Sequence, residues 1–443
     1  MLARSLYNVI LPEGNEVLIF NTHSLYFGRL PASLYHEAED LIFSLNTDTR
    51  TLPQSDEVRQ IAFELRHRGF FVDDPEAERA AVTARFNVRK NTRDHLGLTI
   101  APTDACNFAC PYCYEHLNHR RMSEEMQRRV ASFIEEELAA GKYQSMHVTW
   151  YGGEPLLPES LRAITFLSER IMAACAARSI TYSANIISNG YLLTRKTAAR
   201  LAALNVGLMQ VTLDGPRLRH DQTRILKNGA GTFDRILSNI KTCLDLMRFS
   251  IRMNVSADNR ENVADLKRVL QEEGILADRK RTTFYVSPVR SYTTTCQNGV
   301  CLSNEAFYRL QLDLLKTGIN ADGFAVVEEF PVAKESICTA VGADSFVIGP
   351  DGDLYKCWLD LGRREFSVGC VGNGGLELND RITRWHDFRP FDQISCASCI
   401  MLPICMGGCP ELNMRSSGRE ENQACCNWKY ILDDHLRYLA RGV

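Results

Sequence analysis

The chain offers no stretch suited to crossing a membrane. Its apolar start, Leu6 to Leu11, is short and is broken by Pro12, Glu13, Asn15 and Glu16, whereas a bilayer helix needs about 20 apolar residues. The layout of a secretory signal is missing as well. Positive charge is not in excess. With 51 Lys and Arg against 54 Asp and Glu, the net charge is −3, and no broad basic field speaks for nucleic acid. Neither nucleic acid nor a membrane is therefore expected as a partner. Low-complexity tracts and clear repeats are lacking, so no segment is set aside as a biased linker. Cysteine is absent from the first 105 residues, which excludes a fold-wide disulfide framework.

What is present is a chain of 443 residues, 45% hydrophobic and 24% charged. That is ordinary globular composition, and the length suggests two to four domains of about 100–200 residues each. Sixteen cysteines are many for a chain without a secretion signal, and eleven of them lie at or beyond Cys296. We expect a cytoplasmic protein. Disulfides are rare in a reducing cytosol, so clustered cysteines there read as metal ligands or catalytic groups.

Cys106, Cys110 and Cys113 fall in the run Cys-Asn-Phe-Ala-Cys-Pro-Tyr-Cys, a C-x3-C-x2-C spacing. Fully ligated [4Fe–4S] clusters normally use four cysteines. A cluster held by three leaves one iron open, and an open metal position is where chemistry happens, as in catalytic zinc sites. An enzyme is thus the leading reading, ahead of an electron carrier. A zinc knuckle is the bland alternative.

The spacing resembles the signature of the radical S-adenosylmethionine (SAM) enzymes. The resemblance implies that the open iron chelates SAM. An electron from the cluster then cleaves the sulfonium, giving methionine and a 5'-deoxyadenosyl radical that abstracts a substrate hydrogen. Further matches follow in order. From Leu96 the chain alternates strand and helix, with strands at Leu96–Ile100, Met146–Trp150, Ile180–Ile187, Val206–Leu213, Ser250–Val255 and Thr283–Ser287. Six such βα units point to a parallel α/β sheet. The resemblance makes residues 95–290 a partial (β/α)6 barrel, with its site at the C-terminal strand ends.

Gly152-Gly153-Glu154-Pro155 follows the second strand and looks like the family's GGEP, which holds the SAM amino group. Two glycines let backbone approach a ligand closely, and a carboxylate accepts a strong bond from a charged amino group. Asn185, Ser188 and Asn189 cluster at the end of the third strand. They resemble the family's Thr-Asn-Gly strand end, which implies contacts to the SAM carboxylate and ribose. A Ser-Asn-Gly turn is the alternative. Tyr112 stands where the family has an aromatic residue near the adenine. Asp214, in Leu213-Asp214-Gly215-Pro216, resembles a substrate-facing base of related members, with a turn cap as the other reading. Arg252 and Asn254, on one face of the fifth strand, are weaker candidates for SAM contacts.

A second cysteine field follows: Cys338, Gly352-x4-Cys357, then Cys396-x2-Cys399-x5-Cys405-x3-Cys409 and adjacent Cys425 and Cys426. It resembles the SPASM extension, an iron–sulfur domain with two auxiliary [4Fe–4S] clusters, here over residues 291–443. The resemblance gives Cys338, Cys357 and Cys409 to one cluster. It gives Cys396, Cys399, Cys405 and one of Cys425 or Cys426 to the other, with Cys425 preferred. The fourth ligand of the former is Cys296, Cys301, Cys370 or none. Two closed zinc sites would also fit the count. Cys175 and Cys243, on helices, read as small core residues.

Residues 1–85 read as a separate module with a strand at Val17–Phe20, helices at Leu34–Leu45 and Asp56–Arg68, and a strand at Phe70–Val72. The order is similar to winged-helix, PqqD-like (RRE-like) domains that bind leader peptides as an added strand. A structural cap is the alternative. The implied function is a radical SAM/SPASM oxidoreductase that crosslinks a ribosomally made precursor peptide, through a thioether, carbon–carbon or carbon–oxygen bond. The implied cofactors are SAM and three [4Fe–4S] clusters. The implied partners are the leader-bearing precursor and a reductant such as flavodoxin or ferredoxin. Two other functions stay open: an anaerobic sulfatase-maturating enzyme forming formylglycine, and a non-catalytic iron–sulfur or zinc scaffold.

Overall fold

The computed structural model describes residues 2–47, 55–290, 300–334, 338–415 and 424–442. Two compact units form: residues 1–91 with 328–338 and 388–443, and residues 92–327 with 339–387.

The first unit begins with β1 (Ala3–Arg4), β2 (Asn8–Glu13), β3 (Glu16–Asn21) and β4 (Phe27–Pro31). It continues with helices α1 (Ala32–Thr47) and α2 (Asp56–His67), β5 (Phe71–Val72) and α3 (Pro75–Asn91). β2, β3 and β4 form an antiparallel sheet, and β1 pairs with β5. α2 starts where the Ser55 side chain accepts from Val58 N at 3.2 Å. It ends where Gly69 turns left-handed, with Phe70 N bonded to Leu65 O at 2.9 Å, a glycine C-cap. Val17, Ile19, Ala38, Val58 and Phe70 share the core between sheet and helices. The four expected elements are all present, and four more appear: β1, β2, β4 and α3. β2 and β4 carry Pro12 and Gly28, residues that weaken a strand signal. α3 begins on Pro75, since proline fits the first helical turn, and Asp74 caps it by accepting from Glu76 N at 2.9 Å.

The same unit takes in the cysteine-rich end of the chain. Lys90 Nζ donates to Phe388 O at 2.8 Å and Arg85 to Pro403 O at 2.8 Å. Phe20 meets Phe330 edge to face, centroids 5.6 Å apart. The last helix, Trp428–Arg441, is anchored to β2 by the Arg437–Glu13 ion pair.

In the second unit six parallel strands run in chain order: β6 (His95–Ile100), β7 (Ser145–Trp150), β8 (Thr181–Ser188), β9 (Val206–Thr212), β10 (Arg248–Val255) and β11 (Thr282–Pro288). Each βα repeat of the sequence is there, as expected of the partial barrel. Strand residues with alternate burial, such as Leu96, Leu98 and Ile100 on β6, face the helices. The region beyond Pro288 is more regular than its composition implies. β12 (Ser345–Ile348) adds in parallel beside β6. Then β13 (Asp353–Tyr355), β14 (Gly369–Gly372) and β15 (Gly375–Leu378) extend the sheet antiparallel. These strands of three or four residues leave too little pattern to read. Among the described residues no helix is long and apolar enough to cross a membrane.

Candidate active site

The loops leaving the C-terminal strand ends build the site, as in other parallel barrels. The loop after β6 carries Cys106, Cys110 and Cys113. It is pinned where Ala109 N bonds to Ile225 O at 2.9 Å and where Asp104 accepts from Arg120 Nε at 2.7 Å. All three cysteines line one cavity with about 1070 Å³ of empty space, part of it open solvent. Burial, with help from Glu154 for Cys106 and Glu115 for Cys113, pushes those two thiols up to about 12. Burial also raises Cys110, and the Arg224 guanidinium opposes it. Such thiols give up their protons when a metal binds.

Gly152 and Gly153 sit at φ +81° and +42°. A Cβ on Gly153 would lie 2.1 Å from Ala105 O, and one on Gly152 2.5 Å from Ala101 Cβ. The glycines are needed because this loop presses against the cysteine loop. Glu154 N donates to Ala105 O at 2.8 Å. The Glu154 carboxylate is fully buried. It accepts from Ser188 Oγ at 2.7 Å, Leu156 N at 2.8 Å and Asn189 N at 2.8 Å. A carboxylate has about four acceptor sites, so one remains for a ligand. Burial lifts Glu154 to about 7 against the pull of those bonds. An ammonium group beside it would restore the charge.

Tyr112, Ser188, Asn189 and Asn254 line the same cavity, together with Gly152 and Gly153, and Arg252 lines it too. Asn185, Glu154 and Asp214 do not. Asp214 is 1% exposed and lies behind Tyr112, whose hydroxyl donates to it. Thr223 Oγ1 and Asn254 N add bonds at 3.3 Å each. Arg224 Nη1 donates to the Tyr112 oxygen at 2.8 Å and Asn254 Nδ2 at 3.2 Å. Burial raises the Asp214 carboxyl, with Arg224 opposing. In this geometry Asp214 orients Tyr112.

Sequence reasoning missed Arg224, Glu115, Tyr114, Tyr151 and Trp358, which also line the cavity. Glu115 accepts from Gly153 N at 2.7 Å and so ties the two loops together. Its place two residues after the third cysteine was the available signal.

The second field lies mostly in the first unit. Met406, Gly407 and Gly408 are successively left-handed, and a Cβ on Gly408 would fall 1.8 Å from Ala424 O. This reversal lets Cys409 N bond to Ala424 O at 2.9 Å, bringing Cys409 to the Cys425–Cys426 pair. Burial pushes the Cys425 thiol up to about 11, reinforced by Cys405, Cys396 and Cys399. Cys426 bonds to Cys405, which lowers Cys405 and raises Cys426. Cys338 is exposed in this unit, whereas Cys357 follows β13 in the other. Cys370 on β14 points its thiol at Glu377 Oε2, 3.7 Å away. Cys301 is held in a disulfide and offers no thiolate, and Cys296 lies outside the described residues. Cys175 and Cys243 are buried. Among the described residues, no three His, Cys, Asp or Glu side chains close on a single-ion site. Thiols round a four-iron cluster stand wider than that.

A parallel partial barrel with three thiols at its mouth defines a class, and residues 100–270 match the model of the radical SAM superfamily. The chain carries a radical SAM domain. It is 25% identical over 325 residues to mycofactocin maturase MftC of Mycobacterium tuberculosis, covering 70% of this chain and 77% of that one. It is 22% identical over 359 residues to the serine-type anaerobic sulfatase-maturating enzyme of Klebsiella aerogenes, covering 75% and 83%. A shorter match, 26% over 174 residues, is to Fe-coproporphyrin III synthase of Methanosarcina barkeri, covering 39% and 40%. Among solved structures, native anSMEcpe with bound AdoMet and Kp18Cys peptide shares the fold at TM-score 0.57, with 18% identity over 79% of this chain and all of that one. Streptococcus suis SuiB bound to precursor peptide SuiA does so at 0.50, with 15% identity over 94% and 98%.

Proposed function

We propose that this chain is a radical SAM/SPASM maturase that forms an oxidative crosslink, thioether, carbon–carbon or carbon–oxygen, in a ribosomally synthesised precursor peptide. One observation carries the reading: Cys106, Cys110 and Cys113 share a single cavity with Gly152, Gly153, Ser188, Asn189 and Asn254. Named relatives and neighbours that mature or bind peptides add support. When bound, the cluster and SAM supply one-electron cleavage of a sulfonium and the hydrogen-abstracting radical that results.

The protein's own part is position and electrostatics. Cys106, Cys110 and Cys113 would hold the cluster through their thiolates. Glu154 keeps one acceptor site for the SAM ammonium, while its other bonds fix Ser188 and Asn189 for the carboxylate and ribose. Asn185 supports that strand end. Tyr112, fixed by Asp214, Arg224 and Asn254, walls the adenine side. Asp214, which accepts from the Tyr112 hydroxyl, is the candidate base for the substrate proton.

For the remaining cysteines the assignment is Cys396, Cys399, Cys405 and Cys425 to one auxiliary cluster, and Cys338, Cys357 and Cys409 to the other. The first 85 residues take the leader, with the edges of the β2–β3–β4 sheet as its docking strands. A flavodoxin or ferredoxin supplies electrons. The test is anaerobic incubation with SAM, reductant and any short peptide found encoded beside the gene. A peptide mass lower by two hydrogens supports a crosslink. Absence of 5'-deoxyadenosine overturns the enzyme reading and leaves a scaffold.

A second reading, sulfatase maturation, is favoured by the match to a sulfatase-maturating enzyme over three quarters of the chain. Conversion of a Cys-x-Pro-x-Arg peptide to formylglycine would select it.

A further inference from the structure

A line of aromatic rings joins two cysteines that lie far apart in sequence. Tyr114 directly follows Cys113, and its phenol meets the phenol of Tyr151 in a short hydrogen bond. The Tyr151 ring packs on the indole of Trp358, centroids 5.2 Å apart and planes tilted by 30°. Trp358 directly follows Cys357. Every link is a peptide step, a hydrogen bond or a ring contact.

The line is held rigidly, because the two cysteine loops are fixed to each other. β12 pairs in parallel with β6, the strand that leads into the first loop, and β13 follows β12 directly in the sheet. Arg120 clamps the same pair of loops, donating to Asp104 at 2.7 Å and to Asp351 at 2.8 Å. Tyr151 is 4% exposed, and Val347 and Tyr355 pack around it and Trp358. Conjugated rings in contact carry electrons by tunnelling better than saturated side chains or water-filled gaps.

We propose that Tyr114, Tyr151 and Trp358 form a bridge for single electrons between iron–sulfur groups held at Cys113 and at Cys357. The bridge rests on the reading above, in which both cysteines are cluster ligands. The step balances without chemistry on the rings. The reduced group at one end loses one electron, and the oxidised group at the other gains it. No bond forms or breaks, and no proton moves. Its use is economy of reductant: an electron withdrawn from substrate and held at the Cys357 end returns to the Cys113 end for the next SAM cleavage.

The experiment uses the full-length reconstituted protein. A light flash with a deazaflavin photoreductant delivers fewer electrons than there are clusters. Samples are frozen at intervals and read by electron paramagnetic resonance. SAM shifts the signal of the group with the open iron, so the two ends are read apart. In the unaltered protein, and in Trp358→Phe, the signals equilibrate in a fast phase. In Trp358→Leu the fast phase is lost, while iron content and both line shapes stay unchanged. Equilibration of Trp358→Leu as fast as the unaltered protein overturns the bridge and leaves these rings a wall of the cavity. Cys357→Ala separates the two failures. If its iron and second signal persist, the ligand assignment is wrong and the bridge falls with it. If they vanish, the assignment stands and Trp358→Leu decides.

Discussion

The two cysteine fields are built on different plans. The first puts three thiols on one loop, pins that loop to a barrel strand and leaves a cavity before it. The second gathers its thiols from separate stretches of chain. It does so by backbone reversal at Met406, Gly407 and Gly408, with few regular elements. A site that must admit SAM and a substrate needs an open side and rigid backing. The second field's thiols are no more buried than those of the first, and Cys338 is exposed.

The sharpest way to break this comparison is Cys106→Ala. We expect complete loss of 5'-deoxyadenosine formation and of one cluster's iron, with the remaining iron retained. Chromatography of the nucleoside and an iron assay check it. Equal iron loss from both fields would show that they are not independent. Gly153→Ala ranks next. Its Cβ would overlap Ala105 O at a left-handed residue, and strain of this kind costs about 1–3 kcal/mol. We expect a lower urea midpoint and iron lost from the first field only.

The second field is sharpened by a pair of variants. Cys425 feels Cys396, Cys399 and Cys405, whereas Cys426 engages Cys405. Cys425→Ala should lose auxiliary iron, and Cys426→Ala should keep most of it. Iron counts with Mössbauer spectra distinguish the two, and the reverse result would exchange the assignments.

The difference in plan also explains what the sequence made legible. The barrel was readable because each strand alternates or runs apolar, and each ends in a motif with its own chemistry. The three thiols and Gly152-Gly153-Glu154 were readable because local spacing carries them. Asp214 was placed on its strand end, but its bond from Tyr112 was not legible, because that contact spans 102 residues of sequence. Arg224, Tyr151 and Trp358 carry no motif, and only tertiary packing brings them to the cavity. In the first 91 residues, β2 and β4 were hidden because Pro12 and Gly28 weaken a strand signal.

A gentler test of the open site uses pH. Glu154 is raised from 4.5 to about 7 by burial. A carboxyl raised on folding stabilises the protein below its ordinary value, and that contribution is lost as pH rises through about 7. Without cluster or SAM, stability should therefore fall from about pH 4.5 to 7, with a slope of at most about 1.4 kcal/mol per pH unit. SAM affinity should run the other way and tighten through pH 7, since its ammonium needs the charged carboxylate. Glu154→Gln should flatten both profiles. Urea unfolding and equilibrium dialysis across that range measure them, and unchanged profiles would remove Glu154 from the SAM site.

The smallest effect belongs to a cysteine of neither field. Cys175 is 2% exposed inside the helix Pro158–Ala176, where burial pushes its thiol up to about 11 and only Arg178 opposes. No other thiol perturbs it, so it acts as a small apolar side chain. Cys175→Ala removes one sulfur from a packed face and should cost about 1 kcal/mol, the centre of the range for single substitutions. Iron content and 5'-deoxyadenosine formation should stay at the level of the unaltered protein. Thermal unfolding with an iron assay decides it. Lost iron would mean that ligands extend beyond the two fields, and the contrast between one loop and several gathered stretches would have to be redrawn.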